Sequence, residues 1–263
     1  MPKYAVIGGS GVYDPSLLEN TREETVETPY GSARVSIGSY NGSEVAFMAR
    51  HGSQHSVPPG KINYRANIKA LSELGVEYVV STSAVGSLQK EIEPGSFVLV
   101  DQFYDFTKGR ESTFFDGTHE GVAHIDVTEP YCPSLGPLIA ELATAMELPI
   151  KRSGVYVCCE GPRYETAAEV KLFQSFGGDV VGMTNVPECV LAREAELCYR
   201  TICIVTNFAA GISPHKLTHK EVVDLMKQRL NPLKKLVFAT IDGISNEEKR
   251  DCSCARALQG ASG

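Results

Sequence analysis

The 263-residue chain has no surplus of positive charge: 25 lysines and arginines face 32 aspartates and glutamates, for a formal net charge of −7. A general nucleic-acid or membrane-surface binder would favour a basic face, so neither partner is expected. One small anion is not excluded, since a few local Arg and His side chains can hold it. Also missing is any apolar run of about 18 residues, the length that spans a bilayer. The amino terminus, MPKYAVIGGSG, lacks the apolar segment behind a basic region that marks a signal peptide. Tryptophan is absent, which decides nothing. Neither H-E-x-x-H nor a pair of C-x-x-C motifs occurs, so no metal site is expected.

Cysteine is not scarce. Cys132, Cys158, Cys159, Cys189, Cys198 and Cys203 sit mostly inside apolar runs and read as buried free thiols in a reducing compartment, the cytoplasm. Cys252-Ser253-Cys254 reads equally as a redox pair, a weak metal ligand or two ordinary thiols.

Hydrophobic residues make up 43% and charged residues 22%, ordinary values for a soluble globular protein. Apolar runs at 4–7, 34–38, 44–48, 78–82, 97–106, 154–158, 180–181 and 202–206 read as strands. Helical spacing occurs at 64–74, 138–148, 166–176 and 187–197, and from Thr218 to about Ile241. Thr166-Ala167-Ala168-Glu169 and Thr218-His219-Lys220-Glu221 are capping-box patterns. The alternation predicts one α/β domain, 1–245, with a mostly parallel sheet, followed by a polar, loosely held tail, 246–263, carrying the C-X-C element.

Four segments that follow apolar runs suit an anion. Gly8-Gly9-Ser10-Gly11 offers close backbone approach, though it fits neither a dinucleotide fingerprint nor a Walker loop. Arg50-His51, with His55 beyond, supplies a planar fork and further donors. Ser83-Ala84 adds a hydroxyl and backbone N–H groups, and Thr184 falls just before a helix start, as a ligand or as a cap. In a parallel sheet such loops emerge at one edge, where ligands bind.

Ordered along the chain are IGGSG (7–11), TPYG (28–31), RHG (50–52), NYRANI (63–68), SAVGSL (83–88), DQFYDFT (101–107), HIDVTEPYC (124–132), EGPRYET (160–166), GMTNVPE (182–188) and TNFAAG (206–211). On these motifs the sequence resembles the trimeric purine nucleoside phosphorylase and methylthioadenosine phosphorylase family. The resemblance implies an α/β sandwich around a distorted mixed β-sheet, assembled as a trimer or a dimer of trimers. It implies phosphate as co-substrate, with no cofactor, held by Ser10, Arg50, His51, Ser83, Ala84 and Thr184. Catalytic roles fall to Asn207 and His55, and Tyr164, Met183 and Ala209 join the substrate site. His124 resembles a residue lent by a neighbouring subunit.

The implied reaction is displacement at the ribosyl anomeric carbon: phosphate attacks as the purine leaves, through an oxocarbenium-like transition state. Asn207 matches a position that contacts N7 and the 6-substituent, where the adenine-specific branch carries aspartate. Glu165 matches a carboxylate that accepts from N1–H, which adenine lacks. Together they favour a 6-oxopurine. His219 stands where inosine-type members bond the 5′-hydroxyl, yet TNFAAG and GPRYET also resemble the methylthioinosine branch, so the 5′ group stays open. The alternatives are a methylthioadenosine phosphorylase, a nucleosidase using water, and a non-catalytic purine-binding protein.

Overall fold

A computed structural model describes residues 1–8, 18–54, 56–213, 218–245 and 252–261, apart from the side chains of His219 and Ser245. Ser10 and His55 therefore lie outside the described residues, as does the side chain of His219.

The strands in chain order are β1 (Tyr4–Gly8), β2 (Glu19–Thr28), β3 (Gly31–Tyr40), β4 (Ser43–Ala49), β5 (Tyr78–Ser87), β6 (Phe97–Leu99), β7 (Gln102–Phe106), β8 (Ile150–Lys151), β9 (Val155–Cys159), β10 (Val180–Gly182) and β11 (Cys198–Phe208). The helices are α1 (Tyr64–Glu73), α2 (Leu135–Ala145), α3 (Ala167–Ser175), α4 (Asn185–Glu194) and α5 (His219–Ser245). The strands form one mixed sheet; among the described residues six strand pairings are parallel and four antiparallel. A parallel centre of β4, β1, β5 and β11 is extended by the antiparallel ribbon β2–β3–β4, by β6 antiparallel to β11, and by β10 antiparallel to β5.

The central strands are apolar on both faces because both faces are covered. Within β1, Ala5 and Ile7 enter a core with Ile68 and Leu71 of α1 and Leu191 of α4. Tyr4 and Val6 point the other way, to Ile139 of α2 and Leu236 of α5. β4 alternates likewise, with Ala46 and Met48 on the first face and Val45 and Phe47 on the second. Helix starts follow local chemistry. Asn63 caps α1 by accepting from Ala66 N, and Thr166 with Glu169 forms a complete capping box on α3. At α5, Glu221 N donates to Thr218 Oγ1.

Three expectations are corrected. β2 has no counterpart among the apolar runs: its sequence ENTREETVET is mostly exposed and polar and, among the described residues, pairs only with β3, so it has no apolar period to read. The run 97–106 is two strands on separate parts of the sheet: β6 pairs with β11 and β8, whereas β7 pairs with β9. The tail is not loose over 252–261. Cys254 and Ala261 are buried there, His124 N donates to Ala261 O, and Leu258 N donates to Glu196 Oε1.

Candidate active site

A cavity of about 550 Å³ opens where β5 changes partners. β5 runs parallel to β1 as far as Ser81, then pairs with β10 through Gly86 and Ser87. Ser83 and Ala84 therefore reach the cavity from inside a continuous strand, not from a loop beyond it. The site lies at a topological switch, the place where open α/β sheets bind ligands.

Arg50, His51, Ser83, Ala84 and Thr184 line one part of the cavity, so the structure brings together five of the six positions assigned to phosphate. Thr184 precedes α4 with non-helical φ/ψ (−129°, −14°), and its side chain makes no cap bond. Its hydroxyl instead lies 3.4 Å from Ser83 Oγ, and the buried Tyr156 hydroxyl takes Thr184 N at 3.4 Å and meets Ser83 Oγ at 3.3 Å. The cap reading of Thr184 thus yields to a paired-hydroxyl wall. His51 Nδ1 is engaged by the Val57 carbonyl at 2.9 Å. Any hydrogen bond from that ring to an anion has to come from Nε2.

Arg50 is fully buried and anchored. Its Nε and Nη2 donate to the two carboxylate oxygens of Glu188 at 2.6 and 2.7 Å, Nη2 also donates to Ser81 Oγ, and Nη1 donates to the Thr82 carbonyl. Among the described residues, four of the five N–H donors are taken and one on Nη1 remains for a ligand. Burial alone would lower the guanidinium pKa, but the Glu188 charge and hydrogen bonds more than offset it and hold the pKa above its ordinary value. Glu188 also accepts from Ser81 and Tyr199. From Tyr199 a buried chain of hydrogen bonds runs through Thr201 and Asn185 to Tyr131. Arg110, a second residue that spacing did not single out, donates to the carbonyls of Met183, Val186, Cys159 and Glu160. It fixes two backbone segments that border the cavity.

Tyr164, Glu165, Met183, Asn207 and Ala209 line the same cavity. A register shift in β11, with Val205 opposite Val85 and Asn207 opposite Gly86, turns Asn207 toward the cavity. Its Oδ1 accepts from the Thr206 hydroxyl at 2.8 Å and its Nδ2 donates to the Phe208 carbonyl at 2.9 Å, which leaves one amide N–H. Gly86 leaves the room this needs: a Cβ there would sit 3.1 Å from Asn207 Nδ2. Glu165 Oε1 is buried and has no hydrogen-bond partner among the described residues. Burial raises the Glu165 pKa above its ordinary value, only partly offset by a backbone N–H and the Cys159 thiol. His124 is exposed and does not line the cavity of its own chain. Val222, on the first turns of α5 after His219, does line it.

No described helix is long and apolar enough to cross a membrane. The model of the Phosphorylase superfamily matches residues 3–242. Over the full length of both chains, the sequence is 57% identical to a probable 6-oxopurine nucleoside phosphorylase of Thermococcus kodakarensis. It is 47% identical to an S-methyl-5′-thioadenosine phosphorylase of Thermofilum pendens, with 98% of each chain covered. The crystal structure of a methylthioadenosine phosphorylase from an antarctic soil metagenomic library has the same fold, at a TM-score of 0.90 and 37% identity over 99% of this chain and 92% of that one. With a switch-point cavity and a family match that spans nearly all of its length, the chain belongs to the phosphorylase superfamily.

Proposed function

We propose that the chain is a purine nucleoside phosphorylase of 6-oxopurine nucleosides, releasing the free base and ribose 1-phosphate or its 5-methylthio counterpart. The observation that carries this reading is the buried Glu165 Oε1, unpartnered among the described residues, in a cavity that Asn207 also lines. Hypoxanthine and guanine bring an N1–H that would satisfy it; adenine brings a lone pair and would leave two acceptors face to face. The spare N–H of Asn207 suits N7 or O6, and stabilises the negative charge the leaving base gains. The name of the Thermococcus kodakarensis relative agrees.

In this reading Ser83, Thr184, His51 and the remaining Arg50 N–H hold the phosphate, which attacks the anomeric carbon while its charge steadies the oxocarbenium-like centre. Ser10 and His55 belong to the same proposal by resemblance. The protein's contribution is positioning and electrostatics, with no cofactor in the reaction. Val222 offers an apolar contact that suits a 5′-methylthio group, whereas His219 would suit a 5′-hydroxyl. A homotrimer, or a dimer of trimers, is part of the proposal. Tyr104, Phe106, Leu172 and Phe176 are exposed apolar side chains, and the exposed His124 is available to a neighbour's cavity. Placement in the cytoplasm is supported by the buried thiols of Cys158, Cys189 and Cys203.

The test is base release from inosine, methylthioinosine and methylthioadenosine, each with and without phosphate. Phosphate-dependent cleavage of a hypoxanthine nucleoside, with the adenine one slow, is expected, and the better of the two assigns the 5′ group. Fast cleavage of methylthioadenosine would make the Thermofilum pendens relative the better guide. Release that ignores phosphate, or tight binding without release, would overturn the phosphorylase.

A further inference from the structure

Four cysteines that are far apart in sequence meet at one point away from the cavity. The Sγ atoms of Cys132, Cys198, Cys252 and Cys254 all lie within 4.8 Å of one another. Cys198 and Cys252 approach to 3.1 Å. A tetrahedral zinc with Zn–S bonds of about 2.3 Å needs sulfurs about 3.8 Å apart, so the cluster has the size of such a site. Two ligands stand on rigid ground: Cys198 opens β11 and its N–H donates to Glu77 O, while Cys132 N donates to Tyr199 O just before α2. The other two come from the tail, on either side of Ser253.

The charge around the cluster points the same way. Arg193 and Arg200 are buried, and neither forms an ion pair among the described residues. The Nε of each has no hydrogen-bond partner there. Arg193 Nη1 reaches Cys254 Sγ at 3.6 Å, and Arg200 Nη1 reaches the Cys132 carbonyl at 3.4 Å. Each feels one carboxylate, Asp126 for Arg193 and Asp101 for Arg200, but neither carboxylate reaches its guanidinium at ion-pair distance, so negative charge on the sulfurs would be favoured there. Four thiols that give up their protons to solvent and bind one divalent ion make a centre of net charge −2, a sign that suits a place beside two buried guanidinium groups. Disulfides would bring the sulfurs together but supply no charge.

We infer that Cys132, Cys198, Cys252 and Cys254 form a structural site for a thiophilic divalent cation, zinc by preference, which clips the carboxy-terminal segment onto the domain. The ion does no chemistry on the nucleoside; it replaces core that a short tail turn cannot build alone.

The experiment is elemental analysis of the full-length protein, expressed with zinc and purified under reductant, beside a Cys252→Ser/Cys254→Ser double variant. The wild type is expected to carry about one zinc per chain, and the variant close to none. Cobalt loaded into chelator-stripped wild type is expected to give the intense visible bands of a tetrahedral thiolate site. Chelation under reductant is expected to lower the melting temperature of the wild type and leave that of the variant unchanged. A zinc-supplied, reduced wild type that holds no metal would overturn the site. So would an intact mass showing the four thiols lost as two disulfides in metal-free protein.

Discussion

Glu188 holds Arg50 by both carboxylate oxygens, at 2.6 and 2.7 Å, in a place where neither side chain meets solvent. The guanidinium facing the phosphate region is therefore aimed from behind, through Glu188, Ser81 and the Thr82 carbonyl. Glu188→Ala would leave a buried cation without its partner, at a cost of about 3–5 kcal/mol, so a large fall in melting temperature is expected. Glu188→Gln keeps an acceptor and most of the volume. It should fold, raise KM for phosphate severalfold and leave KM for the nucleoside nearly unchanged, because Glu188 positions Arg50 and touches no substrate. Equal changes in both KM values would mean that Glu188 supports the whole cavity and not Arg50 alone.

Thr184 separates a cap from a ligand. Its hydroxyl makes no cap bond to α4 and faces Ser83. Loss of a capping threonine costs about 1 kcal/mol; here Thr184→Val should cost clearly less. The same substitution should raise KM for phosphate, since one donor of the wall is gone. A stability loss typical of caps with unchanged phosphate kinetics would return Thr184 to the cap reading.

What could be read from the chain follows from how each residue is held. Apolar runs such as those of β5 and β11, and Thr166 with Glu169 at α3, carry their signal locally; the capping box forms as expected, and both strands form where expected but run longer, over Tyr78–Ser87 and Cys198–Phe208. β2 carries none, because its half-buried face at 24, 26 and 28 holds only one apolar residue, Val26, and the rest of the strand is exposed and polar. The cavity residues were found through loops and motifs, yet Ser83 works from within a strand, since only the three-dimensional pairing tells where β5 leaves β1. Glu188, Tyr156 and Arg110 carry no local signal for another reason: their partners lie far along the chain, as with Arg50 and Glu188, 138 residues apart. The four-cysteine cluster escaped for the same cause. Its spacing matches no metal motif, and only the packing of residues 252–254 against β11 and the approach to α2 assembles it.

Glu165 links base choice to pH. A buried carboxyl whose folded pKa is raised binds its proton more tightly than the unfolded chain does. Its stabilising contribution is thus present below the unfolded pKa and lost as pH rises through the folded one. Recognition of N1–H runs the opposite way, because only the ionised form accepts well. Accordingly, kcat/KM for inosine should fall on the acid side at a pH above the ordinary carboxylate value. Glu165→Gln should remove that limb and cost about 1.5–3 kcal/mol of transition-state binding, a loss of about 10- to 150-fold in kcat/KM. Methylthioadenosine cleavage should change far less. The variant should also be at least as stable as the wild type at neutral pH, since a buried charge has been removed.

Asn207 gives the sharpest test of base preference. Its amide donates to the Phe208 carbonyl and keeps one N–H toward the cavity. Asn207→Asp removes both donors. An ionised carboxylate there would face the Phe208 carbonyl at the distance of a former hydrogen bond, and would share the cavity with Glu165. Two carboxyls in one partly dry space hold their last proton more firmly. The variant should therefore lose inosine cleavage by about two orders of magnitude, as when a buried donor to a developing charge is removed. Any gain with a 6-amino nucleoside should appear most clearly at mildly acidic pH, where one of the two groups is protonated. Pairing Asn207→Asp with Glu165→Gln takes away the second charge, so the double variant should move that gain toward neutral pH. If inosine cleavage survives Asn207→Asp, the donor to the leaving base is not Asn207, and the preference for a 6-oxopurine rests on Glu165 alone.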